Sequence, residues 1–214
     1  MANKLSDALH DLPLIAILRG LVPQRAAGTA SVLVEQGFRA IEVPLNGPGA
    51  LEAIHSVRAK VPTHIAVGAG TVLSRTQAQE AKKAEAEYLV MPNLDADVMH
   101  AGRDLGLSLM PGVFTPSEAF MALSLGAFAL KLFPADALGC AWLKALRSVL
   151  PQSQAIIYPV SGIDAGSMRQ WVEAGADGFG VGSSLFKPEF SDQEIALRAS
   201  TLVSTCKQLL RKKP

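Results

Sequence analysis

One unit recurs along this chain and limits what it can fold into: a helix-like segment, a glycine, then a short apolar run ending in proline or glycine. EQGFRAIEVP (35–44), LGAFALKLFP (125–134) and EAGADGFGVG (173–182) share it, and AEAEYLVMP and DLGLSLMPG are looser copies. Glycine suits the helix end because it enters the left-handed region without a steric cost. The apolar runs number eight: LIAILRG from Leu14, AIEVPL from Ala40, IAVGAGTV from Ile65, YLVMPN from Tyr88, SLMPGVF from Ser108, ALKLFPA from Ala129, IIYPVSGI from Ile156 and GFGVGSSL from Gly178. Helical periodicity fills the intervals, as in TPSEAFMALSLG with its Thr-Pro-Ser start and Gly stop. Apolar strands alternating with helices predict a parallel sheet covered on both faces. The expected fold is α/β: a single (β/α)8 TIM barrel over residues 1–214, with a short extra helix near residues 3 to 11. An open doubly wound sheet would need a glycine-rich phosphate turn after the first strand, and LRGLVP contains no GxGxxG.

The composition supplies 49% hydrophobic residues, ample for a sizeable core, and a net charge of only +1. That balance points to no nucleic-acid partner and no membrane surface. No apolar run reaches the ~18 residues that span a bilayer. Cys140 and Cys206 form no CxxC, so reduced thiols and a cytoplasmic location are expected. The first residues, MANKLSDALHDLP, lack the apolar centre of a signal peptide. His10, His55, His64 and His100 make no HxH or HExxH, and GxSxG is missing. The sequence therefore calls for no metal and no cofactor.

In such a barrel the active site lies at the C-terminal ends of the strands. The unusual residues collect there: Arg19, Glu42, Thr71 after Gly70, Pro92, Lys131, and the turns holding Ser161–Gly162 and Gly182–Ser183. Lys131 lies inside FALKLFPA, where an unpartnered ammonium would be very costly. A solvated edge or a structural Lys–Glu pair would each account for it. Catalysis is the third reading. Burial lowers a lysine pKa, and a neutral amine adds to ketones to give a carbinolamine and then a Schiff base. Glu42, lodged in another strand, would then serve as acid and base. VSGID and GVGSSL each place small residues ahead of a probable helix, a setting that favours a phosphate. A sugar-phosphate isomerase or binding module on the same barrel would explain those turns but not the Lys–Glu pair.

AILRG, IEVPLN, VGAGTV, VMPN, PGVFTPSEA, LKLFPA, SGI and VGSSLF together resemble the lysine-type aldolases that cleave 2-keto-3-deoxy-6-phospho sugar acids. The resemblance runs from about Leu12 to the C-terminus. It implies Lys131 as the Schiff-base lysine and Glu42 as the acid/base. Arg19 and Thr71 would meet the keto-acid end, with Pro92 and Val160 also at the substrate. Ser161, Gly162, Gly182 and Ser183 would hold the phosphate. It further implies pyruvate and glyceraldehyde 3-phosphate as products, no metal, and a homotrimer. Gluconate-type members carry an arginine after the glutamate and a threonine before a glycine pair; here Asn46, Val160 and Ser161 stand at those places. The resemblance is therefore to the galactonate subgroup, with gluconate cleavage as the alternative, and Ser161 departs from the glycine pair.

Overall fold

Glycine stops the helices that the recurring unit contains. The computed structural model describes residues 4–210, and within them the elements run α1 (Lys4–Asp11), β1 (Leu14–Ile17), α2 (Pro23–Glu35), β2 (Ala40–Pro44), α3 (Ala50–Lys60), β3 (Ala66–Gly70), α4 (Arg75–Lys83), β4 (Tyr88–Val90), α5 (Ala96–Asp104), β5 (Ser108–Met110), β6 (Gly112–Val113), α6 (Pro116–Ser124), β7 (Leu130–Leu132), α7 (Ala135–Arg147), β8 (Ile157–Pro159), α8 (Met168–Glu173), β9 (Phe179–Val181) and α9 (Asp192–Leu210). Gly37, Gly126 and Gly175 follow α2, α6 and α8 with φ of 104°, 88° and 104°. After α4 the same conformation falls to Glu85, at φ 70°, which is why that copy of the unit looks loose in sequence. Thr115 and Glu118 cap α6 reciprocally, each side chain accepting from the other's end of the first turn. The helix expected near residues 3 to 11 is α1; residues 1–3 and 211–214, which the domain bounds and the N-terminal reading included, lie outside the described residues.

The architecture is an α/β fold built on parallel strands. Six pair in the order β5-β4-β3-β2-β1-β9, and three in the order β6-β7-β8. The run SLMPGVF, expected as one strand, is two, because Pro111 has no N–H to continue a ladder. The described strands therefore number nine rather than eight. The Pro111 carbonyl still accepts from Lys131 N at 3.0 Å, so this segment touches both sheets. On the other side a bridge joins Val160 to Gly180. Two further expectations need correction. Neither Gly162 nor Gly182–Ser183 leads straight into a helix, since α8 begins at Met168 and α9 at Asp192. Asp164 and Ser167 hydrogen-bond each other's backbone in the first gap, and in the second the chain makes only a short turn before Ser191 caps α9 through Glu194 N.

Two apolar clusters hold this together. The larger lies between strands and helices. The smaller gathers Ile15, Ala40, Ala66, Tyr88, Met110 and Tyr158 from six strands with Leu5 and Leu9 of α1. At the strands' N-terminal ends, two acids at matching places in the repeat act as staples. Glu87, before β4, accepts from Val67 N at 3.0 Å and pairs with Arg58 and Lys4. Asp177, before β9, accepts from Ile157 N at 2.8 Å and pairs with Arg147. Among the described residues no helix is long and apolar enough to cross a membrane.

The smaller cluster has room for its two tyrosines only because glycine faces them. A Cβ at Gly68 would overlap the Tyr88 ring, and one at Gly178 would overlap the Tyr158 ring. Gly68→Ala is therefore expected to lower the unfolding free energy by about 2 kcal/mol, the scale of core overpacking. Urea denaturation checks this, and adding Tyr88→Leu to Gly68→Ala should return part of the loss.

Candidate active site

Glu42 and Lys131 are placed by strands buried along their whole length. β2 reads AIEVP and β7 reads LKL, each buried throughout, so both side chains are enclosed at 2% exposure. Glu42 is accommodated because its register partner on β3 is Gly68 and its carboxylate lies over Gly70, where a Cβ would overlap it. Lys131 Nζ lies 4.7 Å from the centroid of the Phe133 ring, two residues on and on the same face.

The two groups act on each other through space; no salt bridge joins them among the described residues. Burial raises the Glu42 pKa above the usual carboxylate value, and the charges of Lys131 and Arg19 offset this only in part. Burial lowers the Lys131 pKa, with Glu42 opposing and Arg19 adding to the fall. Both shifts favour the uncharged partners, an amine and a carboxylic acid. A nucleophilic amine beside a group able to give and take a proton can attack a carbonyl and shuttle protons around the adduct.

A cavity of about 550 Å³ opens beside Phe133, lined by Arg19, Val160, Ser161, Gly162, Gly182, Ser183 and Lys187 among others. Six expected residues thus share one space. Glu42 and Lys131 are not in its lining, which reaches the pair through Phe133; Thr71 and Pro92 do not line it either. They flank the buried pair instead: Thr71 follows Gly70, and the Pro92 carbonyl packs on Gly112, the register partner of Lys131. Arg19 donates to Asn46 Oδ1 at 3.1 Å, so the residue that stands in place of an arginine contacts the first arginine of the site. Ser184 Oγ donates to the Ile163 carbonyl at 2.7 Å and ties the two small-residue turns together. Among the described residues, the N–H groups of Gly162 and Ser183 make no backbone hydrogen bond. No group of three His, Cys, Asp or Glu side chains comes together there as a metal site.

Sequence reading passed over Phe133 and Lys187. Phe133 had a signal, its spacing of two from Lys131 on one strand. Lys187 had a weaker one, a lone cation in the loop after Ser183.

Ser161 sits at φ 91° and Gly162 at φ 68°. The first is a conformation that suits glycine, and holding serine in it stores strain. Ser161→Gly should raise the unfolding free energy by about 1 kcal/mol. Ser161→Ala, which keeps the Cβ, should not; urea midpoints of the three proteins decide.

Comparison with known proteins places this geometry. The sequence pattern of the family described as KDPG and KHG aldolase matches residues 5–197. The chain is 41% identical over 187 residues to a probable 2-dehydro-3-deoxy-6-phosphogalactonate aldolase of Rhizobium meliloti (strain 1021), covering 87% of this chain and 88% of that protein. It is 36% identical over 200 residues to the 2-dehydro-3-deoxy-6-phosphogalactonate aldolase of Escherichia coli (strain K12), covering 94% and 97%. A solved structure described as native KDPGal superposes with a TM-score of 0.90 at 36% identity, covering 94% of this chain and 97% of that one.

Proposed function

The chain belongs to the KDPG and KHG aldolase family and is a lyase of the aldolase type, and from that premise we propose that it cleaves 2-dehydro-3-deoxy-6-phosphogalactonate to pyruvate and glyceraldehyde 3-phosphate through a Schiff base on Lys131. The observation that carries this reading is the buried Lys131–Glu42 pair, both members pushed toward neutrality, with Lys131 against Phe133, which lines a cavity that also holds free N–H groups and a cation. The residue roles, the single domain, the closure of the two sheets into one (β/α)8 barrel, the homotrimer and the cytoplasmic location all belong to the same proposal. Closure is supported by Pro111 and by the Val160–Gly180 bridge, which span the two seams. Exposed Phe114, just before α6, and exposed Phe120 and Met121 within it support a subunit interface.

The neutral Lys131 amine adds to the C2 ketone to give a carbinolamine, and Glu42, as the acid, protonates the departing hydroxyl, so that water leaves, the iminium forms and Glu42 becomes the carboxylate. Glu42 takes the proton of the C4 hydroxyl, the C3–C4 bond breaks, and its electrons pass to the iminium nitrogen. The aldehyde leaves with the phosphate. Glu42 returns its proton to C3 of the enamine, and water releases pyruvate and the free amine. Arg19 faces the carboxylate end, with Thr71 and Pro92 beside the reacting atoms. Ser161, Gly162, Gly182 and Ser183 offer N–H and hydroxyl donors to the phosphate, and Lys187 supplies positive charge. Arg19 is thus shared between the substrate and Asn46.

Borohydride in the presence of pyruvate should add one reduced pyruvate to wild type, on Lys131, as read by peptide mass. Lys131→Arg should show no adduct and no cleavage, because a guanidinium stays protonated. Cleavage retained in Lys131→Arg would refute the Schiff-base reading.

Substrate choice rests on Val160. Its side chain packs over Gly180, where a Cβ would meet Val160 Cγ2 at 2.7 Å, so its place on the cavity wall is tightly defined. An apolar wall discriminates weakly between hydroxyl epimers, whereas a hydroxyl at that point discriminates strongly. Wild type should therefore favour the galactonate epimer while accepting the gluconate one. Val160→Thr should move the ratio of kcat/KM toward gluconate by about tenfold. A wild-type ratio strongly favouring gluconate, unmoved by the substitution, would discard the subgroup assignment and leave the aldolase chemistry intact.

A further inference from the structure

Arg25 stands in the first turn of α2, where a positive charge opposes the helix dipole. Its partners lie in the turn between β9 and α9. Nη1 donates to the Pro188 carbonyl at 2.6 Å, and Nη2 donates to the Phe190 carbonyl at 2.8 Å and to Asp192 Oδ1 at 3.1 Å. A planar guanidinium has the donors to hold three oxygens at once. The turn's own backbone bonds are local: Phe186 N donates to the Gly182 carbonyl, and Phe190 N to the Lys187 carbonyl. Arg25 therefore fastens the turn to α2, the helix that follows Arg19 and Gly20. Pro188 packs on Gly20, where a Cβ would meet Pro188 Cγ at 3.0 Å, and Lys187 and Pro188 both line the cavity. The Phe190 ring faces two cations, Lys187 Nζ at 5.5 Å from its centroid and the Arg198 guanidinium at 4.3 Å. Lys187 is thus bracketed by the two residues whose carbonyls Arg25 grips: Pro188, next in the chain, and Phe190, whose ring meets its ammonium.

We propose that Arg25 is a positioning residue for the phosphate end of the site: by fixing the Pro188 and Phe190 carbonyls, it holds the turn that presents Lys187 to the substrate's phosphate. This rests on the reading above, in which Lys187 supplies positive charge to that phosphate. Lys187 is exposed, and a lysine on an exposed turn has many rotamers to lose when it meets a ligand. Confining it beforehand removes part of that cost from binding. Arg25 is not in the cavity lining, so its influence reaches the ligand through the turn. A staple that served stability alone would affect every substrate equally. A positioning residue acts only where the substrate carries the phosphate.

The test compares 2-dehydro-3-deoxy-6-phosphogalactonate with the same acid lacking its phosphate, in full-length wild type, Arg25→Met, Lys187→Met and the double variant. Arg25→Met should raise KM for the phosphorylated acid by about three- to tenfold and keep its kcat within about twofold. Its kcat/KM for the phosphate-free acid should stay at the wild-type value, as should borohydride trapping of pyruvate. Lys187→Met should raise the same KM, and the double variant should add nothing to the larger single effect. Arg25→Lys, a point charge in place of a fork, should fall between wild type and Arg25→Met. Phe190→Leu, which removes the ring beside Lys187 and leaves Arg25 intact, should also raise that KM and serves if Arg25→Met does not fold. Equal losses with both acids, a fall in kcat at constant KM, or additive effects of Arg25→Met and Lys187→Met overturn the proposal. An Arg25→Met variant that matches wild type while Lys187→Met loses affinity overturns it too, and leaves the phosphate reading intact. A wild type that cleaves neither acid or gains nothing from the phosphate, or a Lys187→Met variant that keeps its KM, discards that reading and this proposal with it.

Discussion

Taking an amine and a carboxylate out of water together is the constraint on which the rest of this structure depends. Either charge alone would be costly in an apolar enclosure. Together, at a separation too great for a contact ion pair, each tempers the other without trapping it as a salt bridge. A tight bridge would hold the lysine protonated and useless as a nucleophile. The looser arrangement leaves burial as the leading influence on both groups, and burial favours the neutral forms.

Space for that arrangement comes from what the strands omit. Gly68 and Gly70 on β3, Gly112 on β6 and Gly180 on β9 carry no side chain where Tyr88, Glu42, the Pro92 carbonyl and Val160 must lie. A sheet interior lined with ordinary side chains would fill with hydrocarbon. The glycines make it a place where a few functional side chains can lie across neighbouring strands. The opposite end of the strands is treated differently. There Glu87 and Asp177 clamp the backbone of the preceding strand and an arginine of a helix, while α1 packs on the inner cluster. Rigidity at one end lets the other end carry positive-φ residues such as Thr71 and Ser161.

Much of this was legible in the chain before any coordinates. The glycine-terminated unit located the start of each strand to within a residue, because a parallel strand covered on both faces must be apolar throughout, while several runs extend three or four residues past the strand end. Lys131 and Glu42 were visible because a charge inside such a run has few innocent explanations. The split at Pro111 could have been read from its missing N–H. The turns around Gly162 and Gly182 were placed too close to their helices, because glycine marks a turn but says nothing about how many residues follow before the helix begins. Arg25 looked like an ordinary polar residue of a helix. Its acceptors lie in the turn before α9, far along the chain, a pairing that no single run of sequence contains.

The sequence by itself determined the alternation of elements, the residue types in the site and the family, since these depend on local patterning and on the side chains each strand carries. Only the tertiary structure decided that Arg19 meets Asn46, that Phe133 and Lys187 join the cavity, that Thr71 and Pro92 flank the buried pair rather than the cavity, and that Glu42 rests on Gly70 above the Tyr88 ring. The physical reason is that these are relations between strands. They are set by pairing register and by which positions lack a Cβ, and both exist only once distant parts of the chain lie side by side.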